Sequence, residues 1–227
     1  MHSHKDNLQV LFEDNHIIIV NKRAGDIVQG DKTGDKPLSD VVKEYIKEKY
    51  NKPGNVYLGT VHRLDRPTTG IVIFARTSKA LERLNKMLRE KTIKKTYWAV
   101  VKNQPKKAAD TLIHFLKKNP KNNKSTSFIK ETDGSKKAIL HYKTLKKLDN
   151  YYLLEIDLET GRHHQIRVQL SSIGSTIKGD LKYGAKRSNK DGSIHLHARK
   201  IEFVHPISKE NIFIKAPTPK EAIWSAC

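Results

Sequence analysis

Apolar positions along the chain fall into three patterns. Unbroken runs at Ile17–Val20 and Ile71–Ala75 are short, rich in β-branched residues and without helical period, so they read as strands, the second one buried. A helical period joins Leu38, Val41, Val42, Tyr45 and Ile46, which predicts a helix over roughly 39–50 begun by Ser39 or Asp40 and ended by Lys52-Pro53-Gly54. The same period joins Ala80, Leu81, Leu84, Met87 and Leu88, capped by Thr77 or Ser78 and running to about Lys91, and again Ile166, Leu170 and Ile173, with Gly174 to stop it. Alternation marks the remaining strands. Lys94–Val101 sets Lys95, Tyr97 and Ala99 opposite Thr96, Trp98 and Val100; residues 137–146 and 151–158 form a hairpin turned at Leu148-Asp149-Asn150, with Tyr152, Leu154, Ile156 and Leu158 on one face. Short strands are expected around Val10–Phe12 and Thr111–Leu116, and a loop over 29–37. No repeat or linker divides the 227 residues, so the expectation is one domain spanning 1–227.

Charge narrows the class of partner. The chain carries 44 Lys+Arg against 24 Asp+Glu, a formal net charge of +20. A field of that sign favours a polyanion, and nucleic acid is the usual one. Membrane phosphates are the rival, but there is no basic amphipathic helix with a bulky apolar face and no lipidation motif. The start lacks an apolar signal region and no run approaches membrane-spanning length, so a cytoplasmic protein is expected. Cys227 is the only cysteine, which rules out an intramolecular disulfide and argues against a catalytic thiol. Cations concentrate on one face of the second helix (Lys79, Arg83, Lys86, Arg89, Lys91) and in the broken stretch 102–136, with Lys106-Lys107 and Lys117–Lys124. The first is either a solvated face or a phosphate-facing one. The second is either a mobile phosphate-binding arm or a solubilising loop.

Chemistry is concentrated in residues 59–75. There His62-Arg63-Leu64-Asp65-Arg66-Pro67-Thr68-Thr69-Gly70 runs straight into the apolar strand. Pro67 and Gly70 make a tight loop the simplest reading, which puts Asp65 at the lip of a sheet. A carboxylate so close to a dry strand needs a cation, and Arg63 and Arg66 stand on either side. A turn-capping Asp beside surface arginines would look the same for Asp-Arg-Pro alone. The full string, His-Arg-Leu-Asp followed by Thr-Thr-Gly and a strand, resembles the signature of the RluA-type family of pseudouridine synthases. A second string, Thr160-Gly161-Arg162-His163-His164-Gln165-Ile166-Arg167, resembles that family's Thr-Gly-Arg-x-His-Gln-Ile-Arg motif. Lys95-Thr96-Tyr97 resembles its Lys-x-Tyr motif, and Lys22-Arg23-Ala24-Gly25 its early Lys-Pro-x-Gly turn, with Arg23 where proline is usual. Ile177–Gly184, Leu196-His197-Ala198 and Phe203–Pro206 repeat further family patterns in order, so the resemblance runs from about Leu8 to Pro217.

The resemblance implies an α+β pseudouridine synthase catalytic fold. Its central sheet would be mixed but mostly antiparallel, flanked by helices and loops and crossed by an active-site cleft; since no linker divides the chain, no separate N-terminal S4-like RNA-binding domain is expected. It implies isomerisation of uridine in RNA with no cofactor, Asp65 as the catalytic residue, Tyr97 against the target base, and Arg167 as the ion-pair partner of the Asp. Arg63 matches the residue that fills the space left by the flipped base. His62, Arg66, Arg162, His164 and Gln165 are the remaining candidates for holding RNA. The partner would be a ribosomal or transfer RNA stem-loop, with no DNA and no membrane, and a monomer is the default. Three routes stay open for the carboxylate: attack on C1′, addition to C6 of the base, or proton removal from C2′. Two other classes compete, a catalytically silent RNA-binding protein and a metal-dependent nuclease using the histidines. No His spacing matches a helical zinc site, and adjacent histidines on one element point apart, so His62, His163, His164, His195 and His197 are mostly expected to serve as hydrogen-bonding groups and not to hold a metal.

Overall fold

The computed structural model, which describes residues 2–31 and 33–227, is α+β. In chain order its elements are β1 (Val10–Glu13), β2 (Ile17–Lys22), α1 (Leu38–Lys49), β3 (Gly59–Thr60), β4 (Thr69–Ala75), α2 (Ser78–Arg89), β5 (Lys94–Val101) and β6 (Ala109–Asn119). There follow β7 (Lys124–Phe128), β8 (Lys136–Lys147), β9 (Tyr152–Leu158), α3 (Gln165–Ser172), β10 (Leu196–Val204), β11 (Asn211–Lys215) and α4 (Ala222–Ser225). They gather into two units. The first runs up to Lys94 and takes in Ala198–Thr218; the second comprises Lys95–His197 and Pro219–Cys227. The expected loop at 29–37 is loop wherever it is described, Lys32 lying outside the described residues.

In the first unit β2 pairs antiparallel with β1 and with β4, from Ile17 opposite Ala75 to Lys22 opposite Gly70. Every residue of β2 and β4 is buried. Burial on both faces is why these strands read as unbroken apolar runs and not as alternations. Helix α1 sets Val41, Val42 and Ile46 in a cluster with Ile18, Val20, Val72 and Phe74. It begins at Leu38, earlier than expected, and neither Ser39 nor Asp40 caps it. The N–H groups of Leu38 and Ser39 donate instead to the carbonyls of Ile27 (2.7 Å) and Val28 (3.2 Å), so the helix needs no side-chain cap. Helix α2 is capped by Thr77, whose hydroxyl accepts from Ala80 N, and it stops at Arg89, short of Lys91. On its charged face Arg83 donates to the Pro206 carbonyl at 2.8 Å and Lys86 pairs with Glu90.

Strand β4 starts at Thr69, so Gly70 belongs to the ladder and not to the loop before it. The reason is close approach. Gly70 has φ +111°, and a Cβ there would lie 2.4 Å from the Ala198 carbonyl oxygen and 2.5 Å from its nitrogen.

In the second unit the strands run β5-β9-β8-β6-β7, each pair antiparallel. The alternation expected for β5 is realised. Thr96 donates to Asp157 at 2.7 Å and Trp98 to Glu155 at 3.3 Å on one face, while Tyr97 and Ala99 are buried on the other. The β8–β9 hairpin closes through Leu148 N to Tyr151 O, at the expected turn. The basic stretch is more regular than expected. The Thr111–Leu116 strand extends to the full β6, which folds back on β7 through Pro120–Asn123. Helix α3 contributes Val168 to a buried cluster with Leu116 and Ala138 of the sheet. On the opposite side Trp224 of α4 covers Val100 and Leu153.

One side chain ties the first unit's core to its loops. Lys22, at the end of β2 and 1% exposed, donates to the carbonyls of Arg23 (2.8 Å), Arg66 (3.0 Å) and Thr68 (2.8 Å). Three carbonyl acceptors match the three N–H bonds of an ammonium, whereas a neutral amine has two. Burial pulls the Lys22 pKa down to about 7, against the opposing charges of Asp26 and Asp65. Lys22→Met should leave three buried carbonyls without this donor and lower the unfolding free energy by about 3 kcal/mol in a urea titration. A loss below about 1 kcal/mol would mean that the carbonyls find other donors.

Candidate active site

The first motif occupies the loop between β3 and β4. Where β3 ends at Thr60, His62 continues the pairing with its side chain, Nε2 accepting Ile73 N–H at 3.2 Å. The Asp65 carbonyl accepts Thr68 N–H at 3.0 Å across the Arg66-Pro67 turn, and the Arg66 carbonyl accepts from Gly25 N at 2.9 Å as well as from Lys22. Asp65 therefore rides on a turn whose backbone is held on both sides of it. Its own residue is half-buried, and Arg63 is exposed. The Arg66 guanidinium is engaged elsewhere, with Asp35 at 2.6 Å and Thr33 at 2.9 Å. The Asp65 charge in turn favours the ionisation of Lys22.

The second motif lies in the other unit. Gln165, 3% exposed, uses both ends of its amide to fold the strand-to-helix turn. Its Oε1 accepts from the Thr160 hydroxyl (2.8 Å) and Arg162 N (3.0 Å), and its Nε2 donates to the Ile139 carbonyl (3.0 Å). Arg162 is exposed and donates through Nε to the Lys137 carbonyl at 3.1 Å. Arg167 is 5% exposed and held by a two-point fork on Asp180, Nε to Oδ2 at 2.7 Å and an Nη to Oδ1 at 2.8 Å, with Asp180 itself 1% exposed. Such a bidentate pair fixes the plane of the guanidinium. Tyr97 is 7% exposed, opposite Ile156 on β9. Beside the motif, a Cβ on Gly161 would lie 3.8 Å from Lys95 Nζ, and burial lowers the Lys95 pKa.

The adjacent histidines do not point apart as expected. The rings of His163 and His164 stack, 3.8 Å between centroids and 25° between planes. His164 precedes α3 in the left-handed conformation, φ 54°, so neither strand alternation nor helical rotation separates the two side chains. Both are in hydrogen bonds, His163 Nδ1 with the Ser125 hydroxyl (2.9 Å) and His164 Nδ1 with the Tyr183 hydroxyl (2.9 Å). Among the described residues no three His, Cys, Asp or Glu side chains gather as a metal-holding group, and no helix is long and apolar enough to cross a membrane.

Three residues here were given no role by the sequence. Lys22 stood only in a turn motif, although a cation closing the apolar strand Ile17–Val20 was a visible anomaly. Asp180 and Tyr183 stood in a repeated family pattern; Asp180, an acid between Lys178 and Lys182, marked a charge with work to do.

His164 offers a pH test. Burial, with the Arg167 charge next, drives its pKa from 6.5 down to about 2. The folded ring stays neutral while the unfolded chain takes up a proton below pH 6.5, so this contribution is complete above pH 6.5 and declines on acidification toward pH 2. His164→Asn keeps an acceptor and tolerates the left-handed backbone. Between pH 6.5 and 5 the unfolding free energy of the variant should fall less steeply than that of the parent, the difference in slope growing to about 1.4 kcal/mol per pH unit near pH 5. Parallel slopes in urea titrations would show that His164 is not held neutral.

A family model described as RNA pseudouridylate synthase matches residues 16–172. An RNA pseudouridine synthase of Synechocystis sp. is 34% identical over 93% of this chain and 66% of its own length. The ribosomal large subunit pseudouridine synthase C of Buchnera aphidicola from Acyrthosiphon pisum is 35% identical over 95% of this chain and 69% of its own. The chain thus spans about two thirds of the length of these relatives. In fold it is similar to human RNA pseudouridylate synthase domain containing 4, with a TM-score of 0.79, 22% identity, and 96% of this chain and 91% of that one covered. The chain belongs to the RNA pseudouridylate synthase family, and within it to the RluA type that its two motifs resemble.

Proposed function

We propose that this protein converts specific uridines of structured RNA to pseudouridine, with Asp65 as the catalytic residue. The observation that carries the reading is the loop of the His-Arg-Leu-Asp motif, which presents a half-buried Asp65 on a turn clamped by the buried Lys22 side chain. Catalysis at a sugar or base carbon needs a carboxylate that is held still, and a braced turn supplies that condition. In the reaction the N1–C1′ bond breaks, the uracil turns, and C5 bonds to C1′. The C5 proton leaves to solvent and N1 gains one, so no electrons are exchanged with a carrier.

The other residues take roles around that step. Arg63, exposed on the same loop, is suited to fill the gap left by the flipped nucleotide, because a planar guanidinium stacks where a base was. Extraction costs a few kcal/mol, roughly the unstacking energy of one base. Tyr97 is the residue to pack against the uracil, and Arg167, its guanidinium plane fixed by Asp180, is the cation that the second motif offers to the reaction. His62, Arg66, Arg162, His164 and Gln165 shape the loops that receive RNA. The net charge of +20 supports a polyanionic partner and steep salt dependence. The name of the Buchnera relative makes ribosomal RNA the first class to try, and transfer RNA the second.

Transcripts tritiated at uracil C5 test the proposal. The wild type should release tritium from at least one ribosomal or transfer RNA, and Asp65→Ala should fall by at least about a thousandfold while binding the same RNA within about twofold. Release by Asp65→Ala at the parental rate would refute the assignment. RNA binding by the wild type without release from any transcript or native ribosomal subunit would favour a silent binding protein of the same fold.

A further inference from the structure

Tyr183 stands at the centre of a buried network that joins residues from separate stretches of the second unit. Its hydroxyl accepts the N–H of Ser125 on β7 at 2.8 Å and lies 2.9 Å from His164 Nδ1. Its ring meets the His164 ring edge-on, 5.6 Å between centroids at 85°. The Arg167 guanidinium carbon lies 5.1 Å from the ring centre and Lys124 Nζ 5.3 Å from it. The Tyr183 carbonyl, in turn, accepts from the Ser171 hydroxyl of α3 at 2.8 Å, and its N–H donates to the Asp180 carbonyl at 3.1 Å. One short turn therefore supplies both the carboxylate that fixes the plane of Arg167 and the aromatic ring packed against its guanidinium.

We propose that Tyr183 is the positioning residue for Arg167 and His164: its ring holds the guanidinium, and its hydroxyl donates its proton to His164 Nδ1. The Ser125 N–H fills an acceptor site on the hydroxyl oxygen, which leaves the hydroxyl's single proton for Nδ1 as its partner in this proposal. His164 is then the Nε2–H tautomer, a fixed hydrogen-bond donor and not a proton shuttle. Because Ser125 and Lys124 sit at the start of β7, where the basic β6–β7 hairpin returns, the same side chain links the seating of that hairpin to the aim of Arg167. The catalytic half of this inference rests on the proposed pseudouridine synthase activity; the tautomer half does not.

Two measurements separate them. In the wild-type protein, histidine-edited nitrogen NMR should find His164 neutral with its proton on Nε2, and Tyr183→Phe should let the two tautomers mix. On the RNA that releases tritium, Tyr183→Phe should lower kcat about tenfold and Tyr183→Leu about a hundredfold, with KM changed by less than about threefold. The ring retained in the Phe variant should thus rescue part of the rate. A wild-type His164 carrying its proton on Nδ1 overturns the proposal without any variant. So does a Leu variant with parental kcat, or one whose kcat returns to the parental value at a temperature where it is fully folded. If the wild type releases no tritium from any RNA, the catalytic reading fails, and the tautomer alone decides whether Tyr183 positions its neighbours.

Discussion

A buried lysine side chain holds the candidate site of the first unit in place. Lys22 ends a strand of isoleucines and valine, and its side chain reaches the carbonyls on either side of the Asp65 turn's centre, Arg66 and Thr68. Dry surroundings make each of those bonds strong and their absence costly. The turn therefore cannot drift without uncovering polar groups that water does not reach. Asp26 and Asp65 return the favour by supporting the lysine's charge. The two carboxylates thus favour the charged form of a lysine that burial alone pushes toward neutrality.

The second unit solves the same problem in another way. Arg167 and Asp180 are both almost wholly buried, and a charge pair there is tolerable only when its geometry is good and its remaining polar atoms are engaged. The fork of two short bonds meets the first condition, and packing of the Tyr183 ring against the guanidinium covers it further. Around it, the amide nitrogens of Gln165 and Gln169 donate to backbone carbonyls of the sheet. The helix that carries the second motif is thus bolted to the strands by polar bonds as much as by apolar packing. Most cations of this very basic chain are solvated, but the ones that define the two motifs' geometry are those withdrawn from water.

Much of this was legible in the sequence, for identifiable reasons. The runs Ile17–Val20 and Ile71–Ala75, the helical stripes and the alternation in Lys94–Val101 were readable because one residue's burial repeats with the geometry of its own element. Boundaries were less so. Whether Ser39 caps a helix depends on whether carbonyls of Ile27 and Val28 are there to take the helix N–H groups, and nothing local says they are. Gly70 looked like a loop breaker because a lone glycine has no visible neighbour, while the structure sets it against Ala198, far along the chain.

The sequence by itself determined the element types, the basic surface and the two strings of residues around Asp65 and Arg167, since these follow from local period, charge and order along the chain. Only the tertiary structure decided what each polar side chain is bonded to. Arg66, adjacent to Asp65, turns to Asp35; Lys22, more than forty positions away, clamps the Asp65 loop; and His163 and His164, neighbours expected to diverge, stack. Hydrogen bonds act over about 3 Å, and chain folding, not chain order, chooses which donors and acceptors come within that range.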